Sequence, residues 1–217
     1  MANFFPKWTL WLPIQVIVAS IVVGSAVAYG VTYYFTPKYT RVGYMPTQPV
    51  AFSHALHVNQ LGMDCRYCHT GVEVSSHSNV PTTQTCMNCH TYVQAESPRI
   101  APIKQSWNTG QPIPWVRIHK APDYVYFNHA VHVNRGVSCY SCHGNVNKME
   151  VVWHDQPQSM GWCLECHRAP EENLRPLDKV YDLDWKAETP EKQREQGLKF
   201  VEEWNVNPPV NCAGCHR

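Results

Sequence analysis

The sequence predicts short α-helices and loops with little regular structure, folded around something bulkier than their own side chains, plus one N-terminal transmembrane helix. Three observations predict it. Cys-x-x-Cys-His occurs five times and uses all ten cysteines: Cys65-Cys68-His69, Cys86-Cys89-His90, Cys139-Cys142-His143, Cys163-Cys166-His167 and Cys212-Cys215-His216. Residues Leu10 to Phe35 form an apolar run without a charge. Hydrophobic residues make up 44% of the 217, but much of that lies in the first 35 positions, and the remainder is too poor in aliphatic side chains for a generous core.

The motif is the attachment signature of c-type haem. Two thioethers hold the porphyrin edge and the adjacent histidine supplies the proximal iron ligand. Zinc is a rival, because paired Cys-x-x-Cys units build structural zinc sites. Disulfides are another in a non-cytosolic chain. Neither explains a histidine after every second cysteine. Five covalently bound haem c groups are therefore expected, and they would supply the missing apolar volume. A formal charge of +1 leaves no basic footprint for nucleic acid.

Taken in order, residues 1–9 are expected to be a cytoplasmic N-terminus and 10–35 the membrane span. The run is long enough to cross a bilayer. Phe4, Phe5, Trp8 and Trp11 flank one end, and Tyr29, Tyr33, Tyr34 and Phe35 the other, as two interfacial belts would. Pro13 suits a first turn. Ala26-Val27-Ala28 offers a cleavage site for a secretory leader, but the apolar run is too long for one, and the span is expected to be retained. Lys7 before the span and Lys38 and Arg41 after it orient it poorly. Haem attachment of this type implies an extracytoplasmic compartment, so residues 36 onward are expected in the periplasm of a bacterial inner-membrane, single-pass protein.

An internal duplication organises the rest. Phe52-Ser-His54-Ala-Leu-His57-Val-Asn59 precedes Cys65, and Phe127-Asn-His129-Ala-Val-His132-Val-Asn134 precedes Cys139. Each copy carries two motifs. The expected division is a first dihaem module at 36–96, a Pro-rich connector at 97–116, a second dihaem module at 117–170, and a C-terminal helix with the fifth haem at 171–217. Prolines at 98, 102, 112 and 114 argue for an extended connector without a helix. Short helices are expected at the F-x-H-x-x-H segments, with both histidines on one face. A longer helix is expected from an N-cap at Thr189, through Pro190, to Trp204, with Leu198, Val201 and Trp204 sharing a face suited to packing on a haem or a partner.

Five irons need distal ligands, and seven histidines lie outside the motifs. His54, His57, His129 and His132 lead, because their pattern repeats. An i,i+3 pair cannot easily serve one iron from the same side, so each member is expected to serve a different haem. His119 is the fifth candidate, with His77 and His154 as alternatives. Met160 and Met149 are candidates for one His/Met haem, against the ordinary reading of methionine as packing.

With these residues in hand, the chain resembles the membrane-anchored pentahaem cytochrome c subunit of alternative complex III, a bacterial quinol:electron-acceptor oxidoreductase. The likeness covers the span, both F-x-H-x-x-H segments, Arg117 to Phe127, and Ser159 to Cys163. The first half of each module also resembles small class III cytochromes, so the implied fold is a class III-like multihaem cytochrome c. That resemblance implies that His54 pairs with His69 and His129 with His143. It also implies partners: an iron–sulfur subunit, polytopic quinol-binding membrane subunits, a monohaem cytochrome c, and a terminal oxidase or soluble carrier as acceptor.

Three functions compete. An electron-transfer subunit without a substrate site is favoured, because every motif keeps its histidine and spare histidines suffice. A stand-alone membrane-anchored quinol dehydrogenase would need a cavity that one helix is poorly equipped to enclose. A multihaem reductase would show an open iron, commonly marked by lysine in place of a motif histidine, and no motif here has one.

Overall fold

The computed structural model describes residues 6–35 and 41–216. The chain divides into two units, 1–41 and 42–217. In the first, a 3-10 turn at Lys7–Trp11 leads into an α-helix at Leu12–Phe35. Pro13 occupies the first turn, where the N–H it lacks has no intrahelical partner. At 1.5 Å per residue the helix rises about 36 Å, more than the roughly 30 Å of a bilayer's hydrocarbon core. Its side chains from Leu12 to Tyr34 are exposed nearly all round, as an apolar span requires and a soluble helix would not tolerate. Tyr29 stacks on Tyr33 at 6.2 Å, and Tyr33 meets Tyr34 edge-on at 5.3 Å. Phe4, Phe5 and Lys38 lie outside the described residues.

The second unit is built from short helices. No β-strand occurs among its described residues, only isolated bridges between Val125 and His216 and between Val137 and Leu174. Each motif sits on a helix: Cys65–Cys68, Thr83–His90, Cys139–His143, Met160–Arg168 and Cys212–Cys215. Four are N-capped by the side chain just before them. Asp64 accepts from the Arg66 N–H at 2.8 Å, Ser138 from Tyr140 at 3.2 Å, Ser159 from Trp162 at 3.4 Å, and Asn211 from Gly214 at 2.8 Å. A helix of one turn has almost no internal hydrogen bonds, so such a cap is a large share of what holds it. The two F-x-H-x-x-H copies wind differently, as a π-helical turn at Ala55–Gln60 and an α-helix at His129–Val133.

The expected extended connector is corrected by the structure. Pro98–Ile100 forms a 3-10 turn and Ala101–Thr109 an α-helix. Pro98 and Pro102 both fall in first turns, which proline tolerates, and Gly110 ends the helix in the left-handed region at φ +70°. The remaining prolines, 112 and 114, lie beyond that end. Ile103 of this helix buries against Val50 and Ile100, with Cys86, Met87, Ile113 and Trp115 around them.

The C-terminal helix spans Pro190–Glu203, capped by Thr189, whose side chain accepts from the Lys192 N–H at 3.2 Å. Of the expected face, Val201 and Trp204 are half-buried. Leu198 is half exposed, whereas Gly197 is buried against the Glu171 backbone. Gln193, one turn earlier, donates to the Glu171 and Leu174 carbonyls at 3.1 and 2.7 Å. Apart from the cluster at Ile103, the apolar centre is a small group of Val72, Val133 and Val180 with Tyr181 beside it. Two clusters of this size cannot organise a unit of this length by themselves.

Candidate haem sites

The duplicated histidines take up duplicated geometry. His57 faces His90 with ring centroids 6.2 Å apart, and His132 faces His167 at the same 6.2 Å. One iron held between two imidazoles, through bonds of about 2 Å each, would separate the ring centroids by roughly 6 Å. The second histidine of each F-x-H-x-x-H therefore stands where it could close the iron of the even-numbered motif of its own module. The phenylalanine of each pattern supports both rings. Phe52 stacks on His57 at 4.4 Å and meets His54 edge-on at 4.9 Å; Phe127 stacks on His132 at 4.9 Å and meets His129 edge-on at 4.8 Å.

Backbone carbonyls fix the ring orientation. Nδ1 of His57 lies 2.9 Å from the Ser53 oxygen, and Nδ1 of His132 lies 2.8 Å from that of Asn128. Nδ1 of His69 meets Asn79, that of His90 Val93, that of His129 Ser76 and that of His167 Pro209, all at 2.8 to 2.9 Å. A carbonyl only accepts, so Nδ1 must donate. Nε2 is then left as the lone-pair nitrogen that can bind metal. Sequence reasoning missed these carbonyls and the role of the phenylalanines. The repeat signals the phenylalanine; no side-chain identity signals a carbonyl.

Electrostatics favour the same state. Burial, with His69 and His57 nearby, pushes His54 down to about 4. Burial, with His119, His129, His69 and His154 nearby, pushes His143 down to about 3. Burial also lowers His132. These imidazoles are neutral at neutral pH, which is the ligating form. Burial raises the Cys139 and Cys142 thiols to about 12, with Cys65 the next contributor for the first and Cys166 for the second.

The remaining candidates separate by place. His119 meets His143 edge-on at 4.3 Å and lies 5.1 Å from His154. At 4.3 Å two imidazoles are too close to share one iron, given the roughly 6 Å such sharing needs. His154 is 2% exposed; His77 is exposed. Met149 is fully buried, while Met160 is 63% exposed on the helix of the fourth motif. His216 has the Tyr124 ring at 5.7 Å.

No two of the ten cysteines are joined by a disulfide, and among the described residues no three His, Cys, Asp or Glu side chains converge as a zinc site requires. Haem fits instead. Nδ1 of His54 is buried without a hydrogen-bond partner. Leu56, Val131, Tyr92 and Val93, close in sequence to the facing histidines, stand exposed. A fold of capped Cys-x-x-Cys turns with paired imidazoles defines a multihaem c-type cytochrome, an electron-transfer protein with covalently bound haem c. The family model for cytochrome c7 and related cytochrome c matches residues 50–106 and 125–217, and the chain belongs to that family. The chain is also 37% identical over 97 residues to the menaquinone reductase multiheme cytochrome c subunit of Nitratidesulfovibrio vulgaris (strain Hildenborough). That match spans 44% of this chain and 45% of the relative, so the chain covers under half of the relative's length.

Proposed function

We propose that this chain is a five-haem electron-transfer subunit of a membrane quinol:acceptor oxidoreductase of the alternative complex III type, with no substrate site of its own. The carrying observation is the repeated pair of facing imidazoles at 6.2 Å, which suits six-coordinate iron and leaves no open position for a substrate at those two sites. In this reading His57 and His90 hold one iron and His132 and His167 another. By resemblance, His54 pairs with His69 and His129 with His143; His119, whose ring lies too close to His143 to share that iron, is the candidate for the remaining one. Each bound haem supplies one-electron chemistry. The chain sets its ligands, burial and spacing, and those fix potential and coupling.

A helix long and apolar enough to cross a bilayer supports a single-pass anchor with the haem unit in the periplasm. The relative's description as a subunit of a menaquinone reductase supports membership of a quinone-linked complex. The partners proposed are an iron–sulfur subunit, polytopic quinol-binding subunits and a monohaem cytochrome c, delivering electrons to a terminal oxidase or carrier. Purification from membranes, with a haem count and low-temperature EPR, tests this. Five low-spin haems per chain and co-purifying iron–sulfur and polytopic subunits are expected. A chain that purifies alone with an iron open to added ligand would be a catalyst instead.

A further inference from the structure

Among the described residues, Arg175 is the one side chain of permanent charge that is buried, at 7% exposed. A charge taken out of water is costly unless the chain surrounds it with partners. The partners here come from the third motif and from the stretch Asp182 to Trp185. The guanidinium lies 5.3 Å from the ring of Tyr140, which follows Cys139, and 5.3 Å from the ring of Trp185. Its Nη1 donates to the Asp182 carbonyl at 3.0 Å. The backbone fixes its place as well. The Arg175 N–H donates to the Gly136 carbonyl at 2.9 Å, and Leu174 bridges to Val137, just before the motif. Gly136, at φ +80°, has no room for a Cβ, which would stand 2.6 Å from the Arg175 carbonyl oxygen. The Asp182 carboxylate is engaged elsewhere, with the Trp185 N–H at 3.1 Å and Lys179 at 3.8 Å. Two aromatic faces and a carbonyl oxygen thus hold the cation without cancelling it.

We propose that Arg175 is a fixed buried cation that raises the reduction potential of the haem attached at Cys139 and Cys142. The proposal rests on the five-haem reading above and adds to it a residue that sets one potential. Cys139 lies within electrostatic reach of the guanidinium, and its sulfur is the thioether at the edge of that porphyrin. Burial weakens the guanidinium's hold on its proton, but arginine does not release it in proteins, so the charge is permanent. Oxidised iron carries one positive charge more than reduced iron. A neighbouring cation therefore disfavours the oxidised state, and a buried one is screened far less than a lysine or arginine on the surface. Arg175 touches no iron and moves no proton; it acts through its field alone.

Redox titration of the full chain carrying its haems tests this, in Arg175→Met and Arg175→Lys. Methionine fills similar space without the charge, and replacing buried charges in this way is often neutral or stabilising. In Arg175→Met the reduction constant of one haem should fall about tenfold, or about 59 mV for one electron, with smaller shifts in the others. Adding His143→Met, which changes an iron ligand of the third motif's haem, should displace that same transition. Arg175→Lys, titrated near pH 6, keeps a cation in place and should stay near the wild type. A merely structural arginine behaves otherwise: both variants melt lower and all five potentials stay where they were, which would overturn the proposal. Equal shifts in the lysine and methionine variants would overturn it too, since charge would not be the cause. Should Arg175→Met not mature, Arg175→Gln, which keeps a donor for the Asp182 carbonyl, is read in the same way. Five low-spin haems whose potentials ignore Arg175 would remove only this proposal. Fewer than five haems, or an iron in the wild type that takes up added ligand, would remove the proposed function as well.

Discussion

Gly197→Ala asks whether the C-terminal helix approaches the rest of the unit as closely as the structure has it. A Cβ at position 197 would stand 1.9 Å from the Glu171 carbonyl oxygen, and 2.6 and 2.7 Å from the backbone carbons of that residue. None of these atoms is the end of a flexible side chain. Ordinary contact begins near 3.4 Å, so the helix must retreat by about 1.5 Å. Overpacking of this kind costs about 1–3 kcal/mol. The retreat also pulls Gln193 from the Glu171 and Leu174 carbonyls, two hydrogen bonds of about 1 kcal/mol each. Replacing a mid-helix glycine by alanine returns about 1 kcal/mol of helix propensity. The net loss is about 2–4 kcal/mol, or roughly 5–15 °C in Tm for a unit of this size. Melting followed by near-ultraviolet and Soret circular dichroism of the haem-loaded chain measures it. Lys199→Ala, which removes an exposed pair with Glu195, is the control and should move Tm little. A Gly197→Ala protein that melts at or above the wild type would refute the close approach.

Other outcomes follow from the same geometry. His57→Ala and His132→Ala should each convert one low-spin haem to a high-spin form that binds carbon monoxide, read by optical difference spectra; five unchanged low-spin signals would sink the ligand assignment. His119→Ala should convert one low-spin haem other than that of His143 to a high-spin form, because the 4.3 Å between the two rings is too short for them to share an iron; five unchanged low-spin signals would remove His119 from the ligands. Asn211→Ala should cost about 1 kcal/mol by removing the cap of the fifth motif's helix, whereas Thr82→Ala, whose side chain makes no capping bond, should cost little by the same melt. Acid should destabilise the unit through His54, whose value is about 4 in the folded chain against 6.5 ordinarily. The unfolded chain binds more protons between those values, so this stability is complete above 6.5 and is lost as pH falls through 4. A urea midpoint that does not fall between pH 7 and pH 5 would argue against it.

Much of the site was legible because covalent haem attachment needs a fixed spacing, and duplication marked His54, His57, His129 and His132 a second time. The C-terminal helix was legible too, through Thr189 and Pro190. The burial of Gly197 was not legible, because a glycine carries no hydrophobic signal and is buried here by the approach of a backbone. The connector was misread for a related reason. Proline opposes a helix interior but suits its first turn, and only the position of Gly110 shows where that helix stops. The neighbourhood of His119 and His154 was not legible at all, since it is made by segments that no local pattern connects.

The carbonyls behind the imidazoles have a consequence for how this protein can change over time. The groups that lock His57, His69, His90, His129, His132 and His167 belong to the main chain of residues 53, 79, 93, 76, 128 and 209. Side chains at several of those positions can be exchanged without touching the acceptor, so the orientation of the imidazoles can persist while the letters around them drift. A related chain could look unfamiliar there and still hold its imidazoles in the same orientation, and an insertion that shifts one carbonyl would do more harm than many substitutions.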